Sequence, residues 1–336
     1  MFDSVFGGLW DRFLASSDQF LSQFWPATVD GLSLGSIYAL IALGYTMVYG
    51  VLRLINFAHS EIFMIGTFTS LAVVGAFGFS EIGGVALIGV VLLLALAGGV
   101  ASGASAVALE FLAYRPLRKR GASRLAALIS AIGASLFLQQ LFARVLIPWW
   151  FDVPKEKGAL PVQGHFVVRE DVIAIGDFVV RNDKLIIFLA AILMMIGLDQ
   201  FITRTKLGRG IRATAQDPET SVLMGVNIDR IVTATFAIGG AMAGAAAALY
   251  FMRFEETNYF VGFLLGIKAF TAAVLGGIGN LRGALVGGLT LGLIEMYGSA
   301  FFGSEWKDVV AFSVLVLVLM FRPTGILGES LQQARV

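Results

Sequence analysis

GGVALIGVVLLLALAGGVASGASAVALEF, residues 83–111, decides the fold class of this chain. Its single charged residue is Glu110, and as a helix the stretch is long enough to cross the roughly 30 Å of hydrocarbon in a bilayer. The short alternating segments of a membrane β-barrel are missing. Comparable apolar runs recur along the whole chain, and we predict spans at 31–51, 55–77, 83–111, 125–147, 185–203, 231–252, 262–280, 283–302 and 308–321.

The composition supports the same conclusion. Of the 336 residues, 57% are hydrophobic and 14% are charged, whereas soluble domains carry roughly a quarter charged residues. The fold class is therefore all-α: a polytopic transmembrane helical bundle with about eight or nine spans, eight if 55–77 does not cross fully. The formal net charge of +1 gives no sign of nucleic-acid binding.

Basic residues set the expected orientation, because loops rich in lysine and arginine face the cytoplasm. Residues 113–124 carry five basic residues and no acid, and the polar segment 204–230 also carries five basic residues. Both are expected inside, so the loop 148–183 is expected outside, in the periplasm. The C-terminus, with a tail at 328–336, is expected in the cytoplasm. Residues 1–30 read as an amphipathic interfacial segment that precedes a transmembrane domain at 31–327.

Motifs of enzymes and metal sites are absent from the sequence. No lysine follows a glycine, so there is no phosphate-binding loop of the GxxxxGK[ST] type. The chain has no cysteine and two histidines, too few for a histidine zinc site. We therefore expect no catalytic residues, no metal and no cofactor.

Polar residues cluster where the second predicted span begins. Asn56, His59 and Glu61 follow Arg53 within a few residues, and in a helix Arg53, Asn56, His59 and Ser60 would share one face. Ionisable groups at membrane depth are costly and usually face a cavity or a partner. The cluster is either an ordinary interfacial helix start or a broken helix that lines a translocation pathway.

Two charged residues stand alone in later apolar spans. Lys268 lies in FLLGIKAFTAAVLGGIGN and Glu295 in GGLTLGLIEMYGSAF. Both are expected to face the bundle interior. They either form a buried ion pair between adjacent helices or gate a translocation pathway.

The polar segment, RTKLGRGIRATAQDPETSVLMGVNIDR, is longer than a turn between two spans needs to be. Gly208 and Gly210 are expected to break the chain after the span 185–203, followed by a short helix near 211–215. Asp217 then reads as a helix N-cap, with Pro218 at the first helical position, Glu219 in the first turn and Gly225 as the stop. Two short surface helices with apolar anchors at 222–224 would form a docking surface for a partner, although a plain solvated loop is the alternative.

Three stretches resemble one known family. They are GLSLGSIYALIALGYTMVYGVLRLINFAHSEIFMIG at 31–66, GRGIRATAQDPETSVLMGVNIDRI at 208–231 and FTAAVLGGIGNLRGALVGGLTLGLIE at 270–295. They resemble the permease subunits of branched-chain amino acid ABC importers, in particular the H-type subunit of the leucine/isoleucine/valine system. Ser60 departs from the pattern, since relatives commonly carry glycine there.

The resemblance implies an importer of several subunits in the bilayer of the inner membrane. A second homologous permease would share the pathway, two cytoplasmic ATPase subunits would supply force, and a periplasmic binding protein would deliver the amino acid. The family's coupling region maps onto 208–225. The residues we assign to coupling are Gly208, Arg212, Asp217, Pro218, Glu219, Met224 and Gly225.

Three other functions are alternatives to the amino acid importer. Permeases for urea and short amides resemble the same scaffold, so these compounds are the alternative substrates. An ion-coupled secondary transporter would need a charged site at mid-membrane, and Lys268 and Glu295 are the candidates for such a site. An intramembrane enzyme lacks its motifs.

Overall fold

The computed structural model describes residues 2–151, 159–161, 165–175, 178–322 and 324–328. Its architecture is a helical bundle, as predicted. The helix Gly84–Leu109 passes through a π-helical turn, Glu110–Tyr114, into the short helix Arg115–Lys119. The helix Arg124–Leu141 passes in the same way through Phe142–Leu146 into Ile147–Phe151. The helices are α1 (Phe2–Leu52), α2 (His59–Phe77), α3 (Gly84–Leu109), α4 (Arg115–Lys119), α5 (Arg124–Leu141), α6 (Ile147–Phe151), α7 (Asn182–Arg204), α8 (Lys206–Gln216), α9 (Pro218–Leu223), α10 (Ile228–Phe254), α11 (Val261–Gly276), α12 (Leu281–Phe302) and α13 (Lys307–Phe321).

Among the described residues, seven helices are long and apolar enough to span a membrane, by length and composition. They are Gln23–Leu52, His59–Phe77, Gly84–Lys119, Arg124–Phe151, Asn182–Arg204, Ile228–Phe254 and Leu281–Phe302. The other two predicted spans correspond to the shorter helices α11 and α13. Helix α1 continues without a break through the expected boundary at residue 30, and its candidate span begins at Gln23.

Two small antiparallel sheets stand at one end of the bundle. Strands β2 (Asp171–Ile175) and β3 (Phe178–Arg181) form a hairpin within the loop 148–183. Strand β1 (Ala159–Pro161) pairs with β4 (Glu256–Asn258), which follows α10. The loop is therefore tied to the helical bundle rather than hanging free of it.

Close backbone approach at glycines holds the central helices together. Helices α1 and α10 are the most buried spans. A methyl group added at Gly98 of α3 would lie 2.7 Å from the carbonyl oxygen of Gly244 in α10, and one added at Gly35 of α1 would lie 2.7 Å from the carbonyl oxygen of Gly288 in α12. Small residues let helices approach closely in lipid, where apolar burial alone gives no drive for association.

The segments expected on one side of the membrane meet at one end of the bundle. Arg115 and Arg118, from the basic stretch 113–124, bond the carboxylate of Asp229 in the polar segment at 3.3 and 2.6 Å. At the opposite end, Asp30 accepts from Lys184 and Arg253, both at 2.9 Å. The stretch 113–124 and the polar segment therefore lie at the same end of the bundle.

Candidate functional site

The polar segment folds into two short helices, as the sequence suggests, but the first starts earlier than expected. Gly208 and Gly210 do not break the chain; both lie inside α8. The break is at Thr205, whose extended backbone ends α7 and whose hydroxyl accepts from the N–H of Gly208 at 2.9 Å. Glycine is needed at 208 for packing, because a Cβ there would clash with the backbone of Ile202.

Helix α9 begins where the sequence places it. The Asp217 carboxylate accepts from the N–H groups of Glu219 (3.0 Å) and Thr220 (3.1 Å) and from the Thr220 hydroxyl. These bonds satisfy donors that a helix start leaves free. The Thr220 hydroxyl bond is the main cause that lowers the pKa of Asp217. Pro218 takes the first helical position, and Gly225, at φ +84°, follows the helix end.

The end of α9 presents apolar side chains to the outside. Val222, Leu223 and Met224 are 52%, 85% and 80% exposed, although they lie between two candidate spans rather than within one. Arg212 on α8 donates to the carbonyl of Thr203 at 3.3 Å and so holds α8 against the end of α7. Exposed apolar patches in a polar setting mark surfaces that bind another protein.

The α1–α2 connection, residues 53–58, is the interruption that the polar cluster allowed for. Helix α1 ends at Leu52 and α2 starts at His59, so the shared helical face expected for Arg53, Asn56 and His59 is wrong. Arg53 is exposed and takes a left-handed φ of +50°, which turns the chain out of the helix. No local sequence pattern predicts this turn, because arginine is rare in that conformation.

Asn56 is buried and fixes the connection from within. Its side-chain Oδ1 accepts from the N–H of Ala58 at 3.1 Å and from the hydroxyl of Tyr114 at 2.8 Å. Tyr114 closes the π-helical turn after α3, so the connection is tied to a third helix. Nothing in the sequence near Tyr114 pointed to this role.

His59 and Glu61 are buried in the first turn of α2. The His59 ring packs edge-on to Tyr45, with ring centroids 4.7 Å apart. Glu61 Oε1 accepts from the hydroxyl of Ser135 at 3.1 Å and from that of Ser60 at 3.4 Å. Among the described residues, His59 Nε2 and Glu61 Oε2 have no hydrogen-bond partner, and unpaired polar atoms in a buried setting are costly.

Lys268 and Glu295 meet in the bundle interior. The ammonium donates to Glu295 Oε1 at 2.8 Å and also to Asp308, at the start of α13, at 2.6 Å. The hydroxyl of Tyr38 in α1 donates to Glu295 Oε2 at 2.9 Å. The cluster therefore joins four helices. Asp308 was not singled out from the sequence, because it sits at the edge of a predicted span.

A cavity between α1, the α1–α2 connection and α11 has a volume of about 10 Å³, which is room for roughly one water. It is lined by Tyr45, Tyr49, Ile55, Phe270, Ala273 and Ile278. No group of three histidine, cysteine, aspartate or glutamate side chains suited to a metal occurs within the described part of the chain.

Comparison with known proteins decides the family. The family model described as branched-chain amino acid transport system / permease component matches residues 27–319. The chain belongs to this permease family. The permease is 46% identical over 304 residues to the high-affinity branched-chain amino acid transport system permease protein BraD of Pseudomonas aeruginosa, covering 90% of this chain and 94% of BraD.

Other relatives agree. The permease is 42% identical over 316 residues to the high-affinity branched-chain amino acid transport system permease protein LivH of Escherichia coli, covering 93% of this chain and 98% of LivH. A probable LivH of Methanocaldococcus jannaschii is 27% identical over 304 residues, with 87% and 89% covered. No solved structure gives a significant match. With its candidate spans, the permease is a multi-pass protein of the inner membrane that works with other transport components.

Proposed function

We propose that this permease is one membrane subunit of an ABC importer for branched-chain or related neutral amino acids. It shares the pathway with a second homologous permease. Two cytoplasmic ATPase subunits supply the force, and a periplasmic binding protein delivers the amino acid. The domain at 31–327 then forms the permease proper, with the loop 148–183 in the periplasm and the polar segment and the C-terminus in the cytoplasm.

One observation carries the coupling part of this proposal: the exposed apolar side chains at the end of the capped helix α9. A partner that covers Leu223 and Met224 gains about 1.5–3 kcal/mol for each side chain taken out of water. The coupling residues are Gly208, Arg212, Asp217, Pro218, Glu219, Met224 and Gly225. In this proposal they shape α8 and α9 so that ATPase closure pushes on the bundle and favours one access state.

In this proposal the pathway lies between the two permeases. Asn56, His59, Glu61, Lys268 and Glu295 remain the pathway candidates. Since all five are largely buried, we propose that they act by holding the helices next to that pathway, or that they become accessible when the access state changes.

Co-purification tests the docking surface. Tagged permease carrying Leu223→Ser and Met224→Ser is expected to lose ATPase subunits by at least about tenfold relative to the unchanged protein, because apolar contact area is lost. Val172→Ser, which alters an exposed apolar side chain (56%) on the hairpin at the other end, is the matched control. Equal recovery of ATPase subunits by all three proteins would reject the docking assignment.

Uptake in proteoliposomes tests the substrate. The assembled complex with its binding protein is expected to accumulate leucine, isoleucine and valine in an ATP-dependent manner, and excess urea is not expected to compete. Competition by urea with no uptake of branched-chain amino acids would reassign the substrate to the amide class.

A further inference from the structure

Arg53 joins two parts of the chain that lie 162 residues apart. Its guanidinium Nη2 donates to the carbonyl oxygens of Ala215 and Gln216, both at 3.1 Å. These are among the last carbonyls of α8, in the polar segment. We infer that Arg53 is a positioning residue that transmits displacement of α8 to the α1–α2 connection. The inference rests on the proposed function, in which an ATPase subunit pushes on the polar segment.

The chemistry of the contact suits a link between rigid elements. The last carbonyls of a helix lack partners within it and carry partial negative charge, so a cation there is favourable. Helix α8 has no basic residue in its own last turn, and Arg53 supplies the charge from another part of the chain. A guanidinium is planar and holds its donors in a fixed arrangement, which gives the contact a defined direction.

The backbone of Arg53 indicates that its side chain matters. The residue takes a φ of +50°, and its N–H donates to the carbonyl of Tyr49 at 2.7 Å, which closes the end of α1. Glycine adopts this conformation without strain, whereas residues with a Cβ seldom do. An arginine in this position carries strain that its contact with α8 offsets, and observed strain of this kind is a reason to look for a function.

The α1–α2 connection is short and internally bonded, so it can pass on a displacement. The N–H of His59 donates to the carbonyl of Asn56 at 3.1 Å, and the Asn56 side chain is fixed by Ala58 and Tyr114. Movement of Arg53 therefore reaches the first turn of α2. That turn contains Glu61, whose Oε2 is buried without a partner among the described residues.

On the other side of the contact, α8 packs against the bundle. Gly208, Ile211 and Thr214 form its buried face, and Gly210 packs against Ile231 of α10. A push on α8 is thus divided among α7, α10 and Arg53. Arg53 is the described side chain that carries it to α1 and α2 through hydrogen bonds.

The test measures leucine taken up per ATP hydrolysed in proteoliposomes that contain the whole complex. Arg53→Gly removes the side chain and leaves the left-handed backbone unstrained. Arg53→Lys keeps the charge but not the planar group. Arg120→Ala removes an exposed arginine at the same end of the bundle and is the matched control. Recovery of ATPase subunits with each variant is measured in parallel.

We expect Arg53→Gly to recover the ATPase subunits and to hydrolyse ATP, while leucine per ATP falls about tenfold, as for loss of two hydrogen bonds from a charged donor at a solvent-exposed site. Arg53→Lys should fall between this variant and the unchanged protein, and Arg120→Ala should be unchanged. An unaltered ratio in Arg53→Gly overturns the inference, and so does a loss of ATPase recovery that Arg53→Lys shares. If the unchanged complex takes up no leucine, the proposed function fails instead.

Discussion

Replacing Lys268 should harm this permease more than replacing the glutamate with which it pairs. Lys268 is the cation between two carboxylates, Glu295 at 2.8 Å and Asp308 at 2.6 Å. The two carboxylates differ in setting: the Glu295 side chain is 2% exposed and that of Asp308 is 57% exposed. Loss of Lys268 therefore leaves the buried Glu295 carboxylate without a cation, whereas the Asp308 carboxylate is still hydrated.

The magnitudes follow from this asymmetry. In Lys268→Met, Glu295 keeps only the Tyr38 hydroxyl at 2.9 Å among the contacts described, and breaking a buried ion pair from one side costs about 3–5 kcal/mol. In Glu295→Gln, Lys268 keeps Asp308 and the amide oxygen still accepts, so the cost is about 1–2 kcal/mol. The double variant removes both buried charges and should cost about 2–3 kcal/mol less than the sum of the single changes, which exceeds the cost of Glu295→Gln alone.

These differences in stability are measured by unfolding the purified protein in detergent with heat or with denaturant. The expected order of stability is unchanged protein, then Glu295→Gln, then Lys268→Met, with the double variant above Lys268→Met. Asp308→Asn is the control and should cost under about 1 kcal/mol because the group is exposed. Additive costs, or a Glu295→Gln variant as unstable as Lys268→Met, would refute the reasoning.

Two further predictions concern packing and capping. Gly98→Ala should destabilise the protein by about 1–3 kcal/mol through overpacking against α10, whereas Gly89→Ala in the same helix, with open space around it, should change stability by less; equal thermal shifts would contradict this. The pKa of Asp217 is lowered in the folded protein, mainly by the Thr220 hydroxyl bond, so its stabilising effect on α9 is complete above the ordinary aspartate range and is lost as pH falls through the lowered pKa. Protection of the amides of residues 219–224 against hydrogen exchange, measured relative to the intrinsic rate at each pH, should therefore fall in acid, and Asp217→Asn, which keeps the cap but not the charge, should abolish that pH dependence.

Much of the architecture could be predicted because its signals are local. Apolar runs predict membrane helices from composition alone, and all nine predicted spans correspond to helices. The start of α9 was predictable for a similar reason: an N-cap acts on N–H groups two and three residues away, so Asp217 and Pro218 carry the signal themselves.

What could not be predicted depends on contacts between distant residues. The face assigned to Arg53 and Asn56 assumed an unbroken helix, but contacts to Gln216 and Tyr114 hold both residues in an irregular connection. Gly208 looked like a breaker because its sequence neighbours do not show that it packs against the backbone of Ile202. Asp308 is not recognised from the sequence as a member of the charged cluster, because it lies at the edge of a predicted span and its partner Lys268 lies in another helix.

The two ends of the bundle are held in different ways, and the difference suits a subunit that is driven from one end. At the end with the sheets, the Glu255 carboxylate accepts from the N–H of Val167 at 3.1 Å and lies 3.6 Å from the guanidinium of Arg169. These bonds join the loop 148–183 to the end of α10, and Asp30 joins α1 to α7 and α10 through Lys184 and Arg253. At the end with the polar segment, α9 shows exposed apolar side chains. Under the proposed function, a displacement applied there would be resisted at the far end and would become a change of helix tilt between the two ends rather than a movement of the whole bundle.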